Sequence, residues 1–333
     1  MLKKVKYNGE NTPFSSTLDR AVLSGHEADQ AAINQTLIAM LRGAGITAYP
    51  VLISTRKSGK INKGYPSFFQ FNGQLVHSQI GEKTYLMDAS FSYSQPGLIP
   101  VQAYNQTGLL LKDSGFHWIN INPPNSVFAI QVDLNAELQP NGTLKGHIAA
   151  DFRGYSGRQI RLSRSKDESL ANIAKELLFK NYLDIQLSNI SLQTENDFDQ
   201  PTKLTADFVV PDYATVFSRG IRFRPMVVGY LSDNPFDKKQ RELPVTLDAP
   251  EKLKLNYSIT LPEGFSLPSF PDNQTFKLPG AAFTEKYDMN GQAFHYQFKI
   301  NIDQKQFSKK LYPRLLNLYQ RWVELSKMRL FAQ

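Results

Sequence analysis

The residues whose types and spacing could do chemistry gather at Gly25-His26-Glu27-Ala28-Asp29-Gln30, just ahead of a helical pattern. Ile33, Leu37, Met40, Leu41 and Ala44 follow the i, i+4, i+7, i+8 spacing of one buried stripe. A helix start leaves backbone N–H groups unpaired and carries a partial positive charge, and thiol enzymes hold a thiolate there. This chain has no cysteine, which removes thiol nucleophiles, disulfides and cysteine metal sites together. A carboxylate is what remains. In the first turn Glu27 gains about 0.3–1 kcal/mol from the helix dipole when exposed. His26 and Asp29 have i, i+3 spacing, but a metal would need a third ligand from elsewhere; no metal or cofactor is expected.

The pattern around these residues resembles the transglutaminase-like, papain-related superfamily, whose Gly-x-Cys-x-Asp motif lies at the mouth of this helix. Gly25 and Asp29 match, and Glu27 stands at the nucleophile position. The family's histidine follows a Phe-Asn pair; here Phe71-Asn72 is followed by Gly73. The orienting aspartate ends a Tyr-Leu-x-Asp motif, intact as Tyr85-Leu86-Met87-Asp88. The resemblance therefore implies a degenerate triad of Glu27, Gly73 and Asp88, with only the orienting carboxylate kept. It also implies that Glu27 and Asp88 face each other across the old cleft, where a close carboxylate pair could share a proton and do acid–base work. His77 shares a strand face with Gly73 but lies roughly 13 Å along the strand, out of reach as a substitute base. The candidate binding residues are His26, Glu27, Asp29, Asn72, His77 and Asp88.

The elements that must position these groups read as follows. A helix runs to Gly43 and Gly45, which stop it, and a strand covers Ile46 to Ile53, with Pro50 suggesting an edge or a bulge. Residues 54–66 read as an exposed loop. Phe68 to Ile80 reads as extended, turning at Gly81-Glu82-Lys83 and returning over Thr84 to Met87. Pro123-Pro124-Asn125 is a linker, placing a transglutaminase-like domain at 1–124 and a second domain at 125–333. Residues 17–23 resemble the lead-in to the family's helix, and the resemblance implies that the fold's first helices lie upstream of Met1.

The second half alternates. Ile130 to Leu138 and Leu144 to Phe152 flank Asn141-Gly142, and Phe283 to Met289 and Phe294 to Ile300 flank Asn290-Gly291: two hairpins. Leu253 to Ile259 alternates too. Ser165-Lys166-Asp167-Glu168 reads as a capping box opening one helix with Leu170, Ile173, Ala174 and Leu177 on its stripe; a last helix covers Pro313 to Lys327. Asn234-Pro235-Phe236, Pro244-Val245 and Leu261-Pro262-Glu263-Gly264 resemble the β-sandwich-like domain that follows such cores in large exported bacterial proteins. His117, His147 and His295 stand alone in sequence and read as structural.

The fold class expected is α+β: a truncated transglutaminase-like domain followed by a mainly antiparallel β-sandwich with a C-terminal helix. The 333 residues, 41% hydrophobic with 22 Phe and 15 Tyr, suffice for two packed cores. The net charge of +8 is scattered, without the basic block and interleaved aromatics of a nucleic-acid face. No run of 18 apolar residues offers a membrane span. Met1-Leu2-Lys3-Lys4 has the charge of a signal-peptide start, but no apolar region follows. With two of three triad members replaced, the expectation is a catalytically inactive binding or scaffolding module, periplasmic or at the cell surface by the resemblance, with a peptide, protein or glycan ligand. The rival is a hydrolase using Glu27 and Asp88 on a peptide or glycan.

Overall fold

The computed structural model describes residues 5–15, 24–25, 27–65, 67–193, 200–229, 231–236 and 238–333. The lead-in segment at 17–23 and His26 lie outside the described residues. The chain divides into two compact units, 1–126 and 127–333.

In the first unit, β1 (Lys6–Tyr7) pairs in parallel with β2 (Glu27–Ala28). Helix α1 spans Gln30–Gly43. Five antiparallel strands follow: β3 (Ala48–Ile53), β4 (Gly73–Ile80), β5 (Lys83–Met87), β6 (Thr107–Lys112) and β7 (Gly115–Asn120), in the order β5-β4-β3-β6-β7. Asp29 caps α1, its Oδ1 accepting from the N–H of Ala32 at 2.8 Å. At the other end Gly45 takes the left-handed conformation (φ 77°) that closes the helix. The buried stripe differs from the one expected. Ile38, not Met40, packs on Ala48 and Val76, with Leu37, Leu41 and Met87 only partly buried beside them; Met40 and Ala44 are exposed. Of the expected stripe Ile33 is fully buried, and Leu37 and Leu41 pack at the margin, so the difference lies at Met40 and Ala44.

Two strand expectations are also corrected. Pro50 lies in β3, the central strand rather than an edge. It is tolerated because β3 pairs with β6 only over Val51–Ile53, so at Pro50 no partner needs the missing N–H on that side. Residues 68–70 form a 3₁₀ turn instead of extended chain, with the Phe69 N–H donating to the Ser67 Oγ; β4 begins only at Gly73.

The second unit is built on an eight-stranded sheet. Its hairpins are β8 (Phe128–Leu138) with β9 (Leu144–Gly154), and β17 (Ala281–Asn290) with β18 (Ala293–Ile302). The first follows the expected Asn141-Gly142 turn. The second turns one residue later than read, on Gly291-Gln292, since Asn290 pairs with Ala293. Between the hairpins come α2 (Tyr155–Arg164), α3 (Leu170–Leu178), β10 (Gln186–Gln193), β11 (Thr202–Val210), β12 (Thr215–Phe217), β13 (Gly220–Phe223), β14 (Val245–Thr246), β15 (Glu251–Thr260) and β16 (Gln274–Leu278). The chain ends with β19 (Gln306–Phe307), α4 (Tyr312–Lys327) and β20 (Leu330–Ala332). The sheet order is β10-β11-β9-β8-β15-β18-β17-β16, antiparallel except where β15 joins β8. The capping box at 165–168 is not used. Those residues end α2, and Ser169 caps α3 through its Oγ, which accepts from the N–H of Asn172.

One face of this sheet carries Val132, Leu255, Tyr257, Phe294, Tyr296 and Phe298 into a single core. The facing layer is a three-stranded sheet, β12-β13-β20, together with the helices. Phe223 of β13 meets Phe294 edge-on at 5.9 Å, Phe179 beyond α3 meets Phe208 at 5.4 Å, and Trp322 of α4 meets Phe298 at 5.8 Å. The α+β class, the mostly antiparallel sheets and the C-terminal helix are thus as expected from sequence.

Candidate functional site

The site is built around Asp88, which follows β5 and is 2% exposed. Its carboxylate receives four hydrogen bonds. Oδ1 accepts from the Ser90 N–H (3.0 Å), the Ser90 hydroxyl (2.6 Å) and Asn34 Nδ2 (3.1 Å); Oδ2 accepts from Gln30 Nε2 (2.5 Å). All four donors are neutral, and no cation pairs with Asp88 among the described residues. Burial therefore pushes its pKa above the usual carboxylate range, against the pull of the Ser90, Gln30 and Asn34 hydrogen bonds.

Gln30 and Asn34 come from the first turns of α1. Their i, i+4 spacing puts both on one face, and each works at both ends. Gln30 Oε1 accepts from the Gln74 N–H at 3.2 Å. Asn34 Nδ2 also donates to the Gln74 carbonyl at 2.8 Å, and its Oδ1 accepts from the Ala89 N–H at 2.7 Å. Gly73 abuts the same group: a Cβ there would lie 2.9 Å from Gln30 Oε1. The side chain that meets both Gly73 and Asp88 is therefore Gln30, not Glu27.

Glu27 is a correction to the expected geometry. It lies in β2, ahead of the cap, not in the first turn of the helix. Its carboxylate is exposed and pairs with Lys6 Nζ at 2.6 Å. It neither caps α1 nor faces the buried Asp88, so the expected carboxylate pair does not form. The cause is the parallel pairing with β1, which aligns Lys6 with Glu27, a contact across 21 residues. Asp29 holds the helix start, with Ser15 Oγ donating to its other oxygen at 2.5 Å. Asn72 accepts from the Thr55 N–H (2.7 Å) and donates to the hydroxyls of Thr55 (2.8 Å) and Ser58 (2.7 Å), which fixes the 54–58 loop. His77 alternates with Val76 and so points to the sheet face away from α1. It is half-buried, and burial together with Lys112 lowers its pKa.

Gln30, Asn34, Gln74 and Ser90 were not singled out by sequence. The available signal was two amides at i, i+4 flanking the apolar stretch Ala31-Ala32-Ile33, where an exposed helix face would carry charged residues. Among the described residues no thiol or imidazole bonds to Asp88, and the hydrogen bonds there join α1, β4 and the segment after β5.

Residues 216–331, about a third of the chain, match the family described as a domain of unknown function with solved structure (DUF3858). A comparison with curated proteins finds no match. A crystal structure from Parabacteroides distasonis, of a protein described as a "putative protease", has a similar fold, with a TM-score of 0.52 at 12% identity. The likeness covers 94% of this chain and 45% of that one, so the chain spans under half of that protein's length. At this identity the likeness concerns the fold. Among the described residues, no helix is long and apolar enough to cross a membrane.

Proposed function

We propose that the first unit is a transglutaminase-like core whose triad has been replaced, and that the protein works as a binding or scaffolding module at a bacterial cell envelope. The observation that carries this reading is the Gln30 amide, which bonds Asp88 and the Gln74 N–H and abuts Gly73, the position where the family's histidine would stand. The order of motifs from Gly25 to Asp88 supports the core, and the protease-like fold of the larger neighbour supports descent from an enzyme. The envelope location rests on the family resemblance. The rival hydrolase needs Glu27 beside Asp88, and the Lys6–Glu27 pair on one side and the buried, amide-bound Asp88 on the other speak against it.

The test is direct. The purified chain is incubated with fluorogenic casein and, separately, with a glutamine-donor peptide and a fluorescent amine. No turnover above buffer is expected. Turnover abolished by Asp88→Ala or Glu27→Ala, at unchanged folding, would overturn the reading.

A further inference from the structure

The outer face of the eight-stranded sheet carries a polar array that the first unit's site does not explain. Two rows run in register across β8, β15, β18 and β17. One is Asp133, Asn256, Gln297 and Lys286; the next is Asn135, Ser258, His295 and Asp288. All eight line a single open cavity of about 580 Å³, within the range that holds small ligands.

Three features separate this array from an ordinary solvated face. First, its residue types run against the strands they sit on. Asn and Asp are depleted in strands, a scale spanning about 1 kcal/mol per position, and here they recur on central strands rather than edges. Departures from local preference of this kind concentrate at functional sites. Second, the types are sorted along the strands. The long cations stand at its margins, Lys254 and Lys299 in the next row toward one end and Lys286 at the end of the first row, whereas the positions between carry short or planar groups. Third, the hydrogen-bonding capacity is open. Asp133 is oriented by Asn256 Nδ2 (2.7 Å) and Gln131 Nε2 (3.2 Å). Among the described residues, Asn135, Ser258, His295, Asp288, Gln297 and Lys286 make no side-chain hydrogen bond or ion pair. The second row continues through Asn135 to His147 and Asp207, which are bonded to each other at 2.7 Å.

The alignment of Ser258, His295 and Asp288 invites a catalytic reading, but no hydrogen bond links Ser258 to His295 or His295 to Asp288. The strand N–H groups around them belong to the ladder, leaving no oxyanion donors. The array suits binding. Its chemistry selects the ligand: two carboxylates and one ammonium on an otherwise basic chain disfavour a polyanion, and Tyr257 and Tyr287 present no exposed ring as an anchor for an apolar peptide. Planar amides, carboxylates and an imidazole on rigid strands match the alternating donors and acceptors of vicinal hydroxyls. We infer that this face is a binding site for a neutral oligosaccharide. It stands apart from the reading of the first unit, and its failure would leave that reading intact.

The test presents the full chain to an array of maltohexaose, cellohexaose, mannohexaose and N-acetylchitohexaose, with a sulfated heparin hexasaccharide and a casein peptide pool as competitors in kind. At least one neutral oligosaccharide should bind. Asn135→Ala with Gln297→Ala, both exposed and unbonded, should weaken it at least tenfold by calorimetric titration; Asp133→Ala should do the same, while Lys252→Ala on the same face should not. Unaltered thermal unfolding of these variants separates loss of binding from loss of fold. No binding to any neutral probe would overturn the inference. So would equal binding by the variants, or binding of the heparin or peptide probes alone.

Discussion

Placing a thiol and an imidazole back at the Asp88 cluster tests where the site lies. In Gln30→Cys the thiol would be buried beside a carboxylate already pushed up by burial. Both effects oppose thiolate formation, so its pKa should stay at or above the usual value of about 8.5. Gly73→His changes this. A Cβ at 73 meets Gln30 Oε1 at 2.9 Å, an atom the cysteine removes; the next nearest atoms are Ile53 Cγ1 and Cδ1 at 3.3 and 3.4 Å, which need give a few tenths of an ångström. Gly73 is not in the left-handed region, so the backbone accepts a side chain. The imidazole would then lie between thiol and Asp88, and the thiolate–imidazolium pair should bring the thiol pKa to about 6.5. At pH 7 the thiolate fraction rises from about 3% to about 76%, roughly 25-fold. The chain has no cysteine, so iodoacetamide alkylation followed by intact mass across pH 5–10 reads this one group. Glu27→Cys with Gly73→His is the control and should titrate near 8.5. A low pKa in the control, or one unmoved between Gln30→Cys and the double variant, would refute the placement of the site at residue 30.

Three further outcomes follow from the packing. Ile38→Ala should destabilise the first unit by about 2–5 kcal/mol, more than Leu37→Ala, while Met40→Ala should change little; urea unfolding followed by fluorescence ranks them. Glu285 is fully buried in the second unit, with Oε2 unpartnered, and burial raises its pKa despite the Tyr287 and Tyr296 hydroxyls on Oε1. A folded pKa above the unfolded one means that stability is fully present at low pH and is lost as pH rises from the unfolded value through the folded one. Glu285→Gln should therefore gain on the native chain between pH 4.5 and 7.5 in urea midpoints, and a gap that narrows would contradict this. Gln30→Glu sets a second buried carboxylate against Asp88, where like charges cannot both ionise cheaply; its midpoint should fall as pH rises from 4 to 7, and a pH-independent loss relative to the native chain would show that the two groups do not touch.

What the sequence made legible depended on whether a short stretch carried its own instructions. The hairpin at Asn141-Gly142 and the helix after Pro313 did so, through strict alternation, a turn dipeptide and a proline in the first turn. Pro50 misled because its tolerance depends on where β6 stops pairing, which no local pattern records. Glu27 misled for the same kind of reason: the strand that claims it is Lys6–Tyr7, and only a contact across 21 residues decides that it points at a lysine. The amides Gln30 and Asn34 looked like ordinary polar helix positions, because burial of a helix's first turn is a property of the sheet beneath it. Helix α2 was missed outright; its residues are mostly polar, and the buried Ile160 and Arg161, the latter bonded to Thr202 Oγ1 at 2.9 Å, do not form a stripe that spacing alone reveals.

The two polar assemblies differ in what they leave unsatisfied, and that difference says which one can bind. At Asp88 the carboxylate receives four hydrogen bonds, and Gln30 and Asn34 are engaged at both ends; among the described residues Gln74 Oε1 is left without a partner. Such a group gains little from a ligand, since any new hydrogen bond must break an existing buried one, at about 1–3 kcal/mol for the partner left behind. A single glutamine joins the helix, the β4 strand and the aspartate. The cost is a carboxylate held neutral more readily than it should be, which an enzyme would correct with an imidazole and a structural core tolerates. On the outer sheet face the balance is reversed: apart from Asp133 and Asn256, which bond each other, the array's side chains find no side-chain partner among the described residues, and water or a ligand must satisfy them. The recognition inferred above therefore belongs with the open array, and the closed one holds the first unit's helix to its sheet.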